Sequence, residues 1–206
     1  MGASRDEIEA SIRRLCASGD WSAAATEALR GYGPEVLGFL HAALGNQADA
    51  RDAFSLFSES LWRGLPTMRW QSSFRTWAYA LARAALGRVH RDPARRGRIV
   101  RLSPTLEDAL PAGPARTVTH PHQRSEVKAH VRRLRLALDP DDQAILTLRV
   151  DRGMSWRDIA IVMAGEEAPE TDIARQSASL RKRFERLKVR LMGLMQVDGL
   201  RAEPHA

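Results

Sequence analysis

Cysteine is almost absent from this chain of 206 residues, and tyrosine is nearly as scarce. The sequence has one cysteine, Cys16, which excludes an internal disulfide framework and a zinc site rich in cysteine. Long apolar runs are missing too, since residues 159–164 fall far below the roughly 20 residues that cross a bilayer. Residues 1–10 are charged and contain no apolar signal core. We therefore expect a soluble cytoplasmic protein with no membrane partner.

Residue sets that support catalysis are also missing. The sequence has no glycine-rich phosphate loop, and no set of nucleophile, base and orienting group can be assigned in it. His120 and His122 flank Pro121 without a third ligand, so this pair predicts no metal site. We expect a protein that is not an enzyme and that needs no metal and no cofactor.

Positive charge is present in excess. Lys and Arg number 32 against 25 Asp and Glu, which gives a formal net charge of +7. This balance favours a polyanionic partner, although charge alone does not separate nucleic acid from an anionic membrane. Hydrophobic residues make up 44% of the chain, which is typical of a globular protein rather than a disordered one.

Proline divides the chain near its middle. Five of the ten prolines fall between Pro93 and Pro121, and proline removes backbone donors and restrains the preceding residue. Because the rest of the chain has helical periodicity, we predict an all-α fold of two helical domains joined by a flexible Pro/Arg-rich linker. The expected parts are an N-terminal helix at 1–19, a first domain at 20–92, the linker at 93–124, a second domain at 125–195 and a tail at 196–206.

Capping residues mark the helices of the first domain. Ser4 and Glu7 have capping-box spacing, and Asn46 can cap a helix over 47–63. Gly31-Tyr32-Gly33 predicts a break between helices at 22–30 and 34–44. Ser72 or Ser73 can begin a helix that runs to about residue 91. Its predicted inward stripe is Phe74, Trp77, Ala78, Leu81 and Ala85.

The second domain has the outline of a helix-turn-helix. After a periodic stretch at 125–138, Asp139 and Pro140 predict a helix start, and Ser155 predicts another for a short helix to about residue 164. A long basic helix then runs to about residue 195. A capped short helix followed by a helix dense in Arg and Lys is typical of a module that enters the DNA major groove.

The last helix supplies the candidate duplex-reading residues. Leu180, Phe184, Leu187 and Leu191 recur at helical spacing and would turn one face inward, so the cations would face outward. The alternative interpretation is a solvated basic helix without a partner. The candidates for DNA contact are Arg175, Gln176, Ser177, Ser179, Arg181, Lys182, Arg183 and Arg186.

Aromatic residues interleave with arginine in the segment 62–83, as they do in proteins that bind single strands. Trp70 lies in a polar turn, where we expect exposure, whereas Phe74 and Trp77 at helical spacing are more typical of a core. We expect Arg75, Tyr79 and Arg83 to share the helix face opposite the apolar stripe. The candidates for single-strand contact are Arg69, Trp70, Gln71, Arg75, Tyr79 and Arg83.

Taken together, these segments resemble the extracytoplasmic-function (ECF) sigma factors, two-domain bacterial transcription initiation subunits of the sigma-70 family. Residues 48–52, 61–66 and 72–83 look like the promoter-melting domain of that family, known as region 2. Residues 138–150 and 154–160 look like its C-terminal helix-turn-helix domain, known as region 4.

The resemblance implies a role for each candidate set. The helix at 47–63 would dock on the clamp of core RNA polymerase. The turn at 66–73 would capture an unstacked base of the non-template strand at the minus-ten element, and the last helix would read the minus-thirty-five element. Promoter DNA would thus be bound both as duplex and as single strand, and an anti-sigma protein is a further possible partner. The implied polymerase contacts are Asp52, Ser55, Leu56, Glu59 and Arg63.

Two departures from the family pattern leave alternatives open. Ser55 and Leu56 stand where family members usually carry a Gln-Glu pair. The connection at 165–172 is long, so either the turn is an enlarged loop or the recognition helix begins early, near Pro169. The rival functions are a helix-turn-helix regulator that acts without polymerase and a degenerate sigma-like adaptor for protein interactions.

Overall fold

The computed structural model describes residues 4–92, 134–135, 137–165 and 167–197. Every regular element among these residues is helical, so the predicted all-α class is confirmed for this part of the chain. The expected linker at 93–124, most of the helix at 125–138 and most of the tail at 196–206 lie outside the described residues. The helices are α1 (Arg5–Ala17), α2 (Trp21–Leu44), α3 (Gln47–Gly64), α4 (Phe74–Arg91), α5 (Pro140–Leu146), α6 (Trp156–Ala164) and α7 (Glu170–Val197).

The helix starts follow the local capping chemistry. Ser4 accepts a hydrogen bond from the backbone N–H of Glu7, and the Glu7 carboxylate accepts one from the Ser4 N–H, which completes the predicted capping box. Asn46 caps α3 and Ser73 caps α4 through the same side-chain acceptance. The three predicted helix starts are confirmed. They could be predicted from the sequence because each cap depends only on residues within one helical turn.

The expected break in the second helix is wrong. α2 runs without interruption from Trp21 to Leu44 and contains Pro34. A missing proline donor costs one helical hydrogen bond, whereas one continuous helix buries a long stripe that includes Tyr32 and Phe39. Gly31 is needed for packing rather than for a turn, because a Cβ there would lie 2.6 Å from Cγ2 of Ile8 on α1.

The four N-terminal helices surround an aromatic and aliphatic core. Phe39 on α2, Phe57 on α3 and Phe74 on α4 are fully buried. A short 3₁₀ turn at Leu65–Thr67 ends α3, and the chain then crosses to Ser73. We call α1–α4 the N-terminal bundle, and it contains the expected first domain together with the N-terminal helix.

The C-terminal helices begin where their caps predict. Asp139 accepts hydrogen bonds from the N–H groups of Asp141 and Asp142 at the start of α5, and Ser155 caps α6. α5 passes into a π-helical turn at Thr147–Asp151. α7 begins at Glu170, so of the two alternatives for the long connection the early helix start is confirmed.

The helices α5–α7, which we call the C-terminal bundle, lie against the N-terminal bundle in this structure. α6 packs along α4, and α5 touches α2. This arrangement places the C-terminal bundle over one side of α4, and that side carries two of the candidate DNA-binding residues, Arg75 and Arg83.

Candidate nucleic-acid interface

The recognition-helix candidate α7 has one buried and one exposed stripe. Its inward face is confirmed at Leu180, Phe184 and Leu187, which are buried, and Leu191 packs against the same core. Ile173 and Ser177 extend this face toward the helix start. The opposite stripe is exposed, and its members are spaced at i, i+4, i+7 and i+11: Arg175, Ser179, Lys182 and Arg186.

Four other predicted contacts of α7 do not belong to this stripe. Ser177 is 8% exposed and faces the core, so its hydroxyl is not presented with the exposed cations. Gln176 is partly buried, and Arg181 is exposed on the flank. Arg183 turns toward α5 instead of outward. Periodicity within the helix could have excluded Ser177, because it lies three residues before Leu180 on the same face.

Arg183 is held by a cluster of carboxylates at the start of α5. Its Nε donates to Oδ1 of Asp142 at 2.5 Å, and its Nη2 donates to Oδ1 of Asp139 at 2.8 Å. Oδ2 of Asp141 lies 3.9 Å from Nη1 of Arg183. The guanidinium therefore ties α7 to the cap of α5, and this contact competes with any contact to DNA.

The pKa values of two carboxyls in this cluster shift in opposite directions. Burial raises the pKa of Asp142, and its hydrogen bond with Asp139 raises that pKa further, which outweighs Arg183. Burial also opposes ionisation of Asp139, but its hydrogen bonds with Asp142 and the charge of Arg183 outweigh burial and lower its pKa. Of the two carboxyls, Asp139 is therefore the one that ionises first as pH rises.

The turn before α4 presents a strained tryptophan. Trp70 has φ 55°, in the left-handed region that few residues other than glycine adopt. Its ring centroid lies 6.2 Å from that of Phe74, and the Arg13 guanidinium lies 5.3 Å over the ring. Trp70 is half-buried rather than exposed as expected, whereas its neighbours Arg69 and Gln71 are exposed.

The prediction that Arg75, Tyr79 and Arg83 share an exposed face of α4 is wrong. Tyr79 is fully buried and meets Phe39 edge-on, with ring centroids 5.4 Å apart, and this burial raises the pKa of its phenol. The Arg75 side chain is 12% exposed and pairs with Glu35 at 2.7 Å. Arg83 pairs with Asp141 of the C-terminal bundle at 2.7 Å. Because α4 has neighbours on two sides, one apolar stripe does not define its exposed face.

The predicted inward stripe of α4 is largely confirmed. Phe74, Trp77, Ala78 and Ala85 are buried, and Leu81 is half-buried against the core. Trp77 also packs closely on the end of α3, since a Cβ on Gly64 would lie 2.8 Å from its ring. The two aromatic residues of this stripe are therefore core residues, in agreement with the core interpretation of their spacing.

The predicted polymerase contacts lie along one side of α3. A groove of about 450 Å³ lies between α3 and the end of α4. Arg63, one turn beyond the groove, pairs with Glu59 at 2.7 Å. The groove is lined by Asp52, Ser55, Leu56, Glu59, Arg88, Val89 and Asp92.

Four residues that join the two bundles are not among the candidates that the sequence suggests: Thr76, Asp158, Arg152 and Glu35. The Oγ1 of Thr76 donates to Asp158 at 3.0 Å, and Nη2 of Arg152 donates to the carbonyl oxygen of Glu35 at 3.0 Å. Arg152 and Glu35 are 117 positions apart in the chain. No local spacing signals such a contact, so only the fold identifies these partners.

The family comparison concerns the N-terminal bundle. Residues 28–96 match the family model described as Sigma-70 region 2. The match supports the assignment of this chain as a sigma-70 family member. It spans most of α2, all of α3 and α4, and the Trp70 turn, so the groove on α3 lies within the region 2 match. At the level of the family, sigma-70 region 2 binds core RNA polymerase and serves promoter recognition and melting.

No curated protein matches the chain. Within the described part of the chain, no helix has the length and apolarity to span a membrane. In the same residues, no three side chains of the His, Cys, Asp or Glu types converge on a possible metal site.

Proposed function

We propose that this chain is a sigma factor of the ECF type. It directs core RNA polymerase to a class of promoters and assists opening of the duplex, and it has no catalytic chemistry of its own. The observation that carries the proposal is the region 2 match at 28–96, because it covers the helices that form the groove and the Trp70 turn.

The groove on α3 is the proposed polymerase-docking surface. Its lining combines the carboxylates of Asp52 and Glu59 with a half-buried leucine, Leu56. A mixed polar rim around an apolar centre is the usual composition of an interface between proteins. Ser55 and Leu56 provide small and apolar contacts in place of the Gln-Glu pair, and Arg63 extends the surface beyond the groove.

The Trp70 turn is the proposed site for an unstacked base at the minus-ten element. The tryptophan ring offers a stacking face, and the exposed Arg69 and Gln71 can contact the backbone or the base edge. Arg75 and Arg83 extend this surface along α4, whereas Tyr79 supports it from the core. We call Arg69, Trp70, Gln71, Arg75 and Arg83 the melting face.

The exposed stripe of α7 is the proposed reader of the minus-thirty-five element. Arg175 and Ser179 lie toward the helix start, where side chains reach base edges, and Lys182 and Arg186 follow at the spacing that suits phosphates. Arg181 on the flank can add a phosphate contact. Ser177 and Arg183 are left out of the contact set because of their positions in the fold.

The division into two functional domains is part of the proposal. Region 2 functions would reside in 20–92 and region 4 functions in 125–195, in a cytoplasmic protein whose activity an anti-sigma protein could control. Brief trypsin treatment should cut first within 93–124. First cuts within α3 or α5 would contradict this division.

Promoter-specific transcription with core polymerase tests the proposed function. A matched pair of variants locates the docking surface: Ser55 and Thr26 are exposed hydroxyl residues that each donate to the carbonyl four residues earlier. Ser55→Lys in the groove should weaken core binding by about tenfold, since an added cation disrupts a matched surface. Thr26→Lys on α2 should leave core binding unchanged.

The outcomes of this test separate the rival functions. DNA binding without any effect of core polymerase would favour a helix-turn-helix regulator. Core binding without promoter-specific transcription would favour an adaptor. Equal loss of core binding in both lysine variants would place the docking surface elsewhere.

A further inference from the structure

The N-terminal helix brings an arginine to the Trp70 turn. Cζ of Arg13 on α1 lies 5.3 Å from the centroid of the Trp70 ring, over its face, and Arg13 is exposed. The region 2 match begins at residue 28, after the end of α1. The family match therefore assigns no role to Arg13, and Arg13 is not among the candidates that the sequence suggests.

The backbone of α1 is fixed at this position. Ile12, next to Arg13 in the chain, is fully buried. α1 also lies close against α2, since a Cβ on Gly31 would be 2.6 Å from Cγ2 of Ile8. The long side chain of Arg13 thus leaves a helix that is anchored by its opposite face. It can change its rotamer while its Cα stays beside the Trp70 turn.

The two neighbours of the Trp70 ring differ in how easily a ligand can displace them. Phe74 is fully buried, with its ring centroid 6.2 Å from that of Trp70, so it cannot leave without opening the core. Arg13 is exposed and lies over the ring from the solvent side. A cation over an exposed ring is held more weakly than a base stacked on it. An unstacked base can therefore take the place of the guanidinium.

The charge of Arg13 is also less committed than the charges on α4. Arg75 pairs with Glu35 at 2.7 Å, and Arg83 pairs with Asp141 at 2.7 Å. Among the residues that the structure describes, no carboxylate forms an ion pair with Arg13. Its guanidinium can meet a nucleic acid without breaking a salt bridge in the protein.

We propose that Arg13 is a further nucleic-acid-binding residue, which closes the Trp70 site from the side of α1; this deepens and rests on the function proposed above. An unpaired DNA base stacks on the tryptophan ring, and the guanidinium moves from the ring to the outer face of that base. The base is then held between two planes. Aromatic rings and arginine guanidinium planes are both surfaces on which proteins stack unpaired bases.

A matched pair of variants on α1 tests this role. Arg13→Ala removes the guanidinium over Trp70. Arg14→Ala removes the same charge from the next exposed position, which points about 100° away around the helix. The probe is a DNA single strand of about 12 nucleotides, selected from a random pool by the full-length wild type in complex with core polymerase. A series of the same strand carries one abasic nucleotide at each position in turn.

Arg13→Ala in complex with core polymerase should bind the selected strand about threefold to tenfold more weakly than the wild type, because the base loses its outer contact. The loss is moderate since the guanidinium also competes with the base for the ring. Arg14→Ala should bind within about twofold of the wild type. At one abasic position the wild type should lose affinity, and Arg13→Ala should bind that abasic strand as well as the wild type does.

Cross-linking separates direct contact with the base from an effect of Arg13 on the position of Trp70. Cys16, the only cysteine of the sequence, is 8% exposed, so Arg13→Cys adds an accessible thiol to a chain whose other thiol is buried. The strand carries a tether, activated as a mixed disulfide, on the base at the position found by the abasic series. Thiol–disulfide exchange should join it to Arg13→Cys at least about fivefold faster than to Arg14→Cys.

Three results would each overturn the role of Arg13: equal affinities of Arg13→Ala and Arg14→Ala, no abasic position that weakens the wild type, or equal cross-linking of the two cysteine variants. These failures are distinct from failure of the proposed function. If the wild type with core polymerase gives no promoter-specific transcription, the sigma-factor proposal itself is wrong. If transcription is normal and any of the three results is found, only the role of Arg13 is wrong.

Discussion

Adjacent side chains on α7 have opposite surroundings. Lys182 is exposed on the reading stripe, whereas Arg183 joins the carboxylates of Asp139 and Asp142. Arg183→Ala should lower the free energy of unfolding by about 1–2 kcal/mol, below the range for fully buried pairs because the side chain is 35% exposed. Urea denaturation measures this.

Lys182→Ala is the control for Arg183. It should change stability by less than about 0.5 kcal/mol, yet weaken binding to all duplex sequences and flatten the salt dependence by about one unit. Equal effects of the two substitutions on stability would contradict the placement of Arg183 in the carboxylate cluster.

Trp70 combines backbone strain with an aromatic face. A left-handed conformation costs a residue other than glycine about 1–2 kcal/mol, so Trp70→Gly should be more stable than Trp70→Ala by about 1 kcal/mol. Both variants lose the ring, so both should make open-complex formation less favourable. The expected loss is about 1–3 kcal/mol of binding free energy, the contribution of one stacked base. Thermal denaturation and a permanganate footprint measure the two effects. If Trp70→Ala unfolds the N-terminal bundle, the ring is a core element.

Helix packing determines what a glycine does within an element. At Gly31 of α2 a Cβ would lie 2.6 Å from Ile8 of α1, whereas at Gly193 of α7 it would meet nothing within 4 Å. Gly31→Ala should therefore destabilise the chain by about 1–3 kcal/mol, since α1 must move. Gly193→Ala should stabilise α7 by about 0.5–1 kcal/mol. Thermal melts of both should shift in opposite directions, and two stabilising shifts would mean that α1 does not pack closely on α2.

A histidine near the end of α4 makes the contact with α3 sensitive to pH. Burial lowers the pKa of His90 from its ordinary value of 6.5, and Asp49 of α3 only partly opposes this. The ring is thus neutral in the fold, and its contribution to stability is present above pH 6.5 and lost as pH falls through the folded pKa. His90→Gln should flatten the decline in unfolding free energy between about pH 7 and 5. An unchanged pH profile would show that His90 titrates alike in the folded and unfolded chain.

At the scale of the whole molecule, we expect duplex binding to depend on where the positive charges lie and not only on the net charge of +7. Replacing the stripe cations Arg175, Lys182 and Arg186 with alanine should reduce the salt slope of duplex binding by about 3, since each phosphate contact contributes about 0.9. A control with the same loss of charge replaces three exposed arginines of the N-terminal bundle: Arg14, Arg30 and Arg51. Equal reductions in both triple variants would mean that overall charge, not the stripe, attracts the duplex.

The sequence by itself determined the features whose partners lie within one helical turn. The caps at Ser4, Asn46, Asp139 and Ser155 and the inward stripe of α7 are of this kind, because a capping oxygen or an apolar repeat acts over three or four residues. The expected groove residues on α3 also share one face for this reason.

Only the tertiary structure decided the rest. The continuity of α2, the burial of Tyr79 and the capture of Arg183 depend on other helices. Arg75 and Glu35 are 40 positions apart, and Arg152 and Glu35 are 117 apart. A helix with neighbours on two sides carries no single periodic signal, and an arginine has the same local pattern whether it meets solvent, DNA or a carboxylate. Its environment is set by which helices pack together, because the contact energy comes from residues that are distant in the chain.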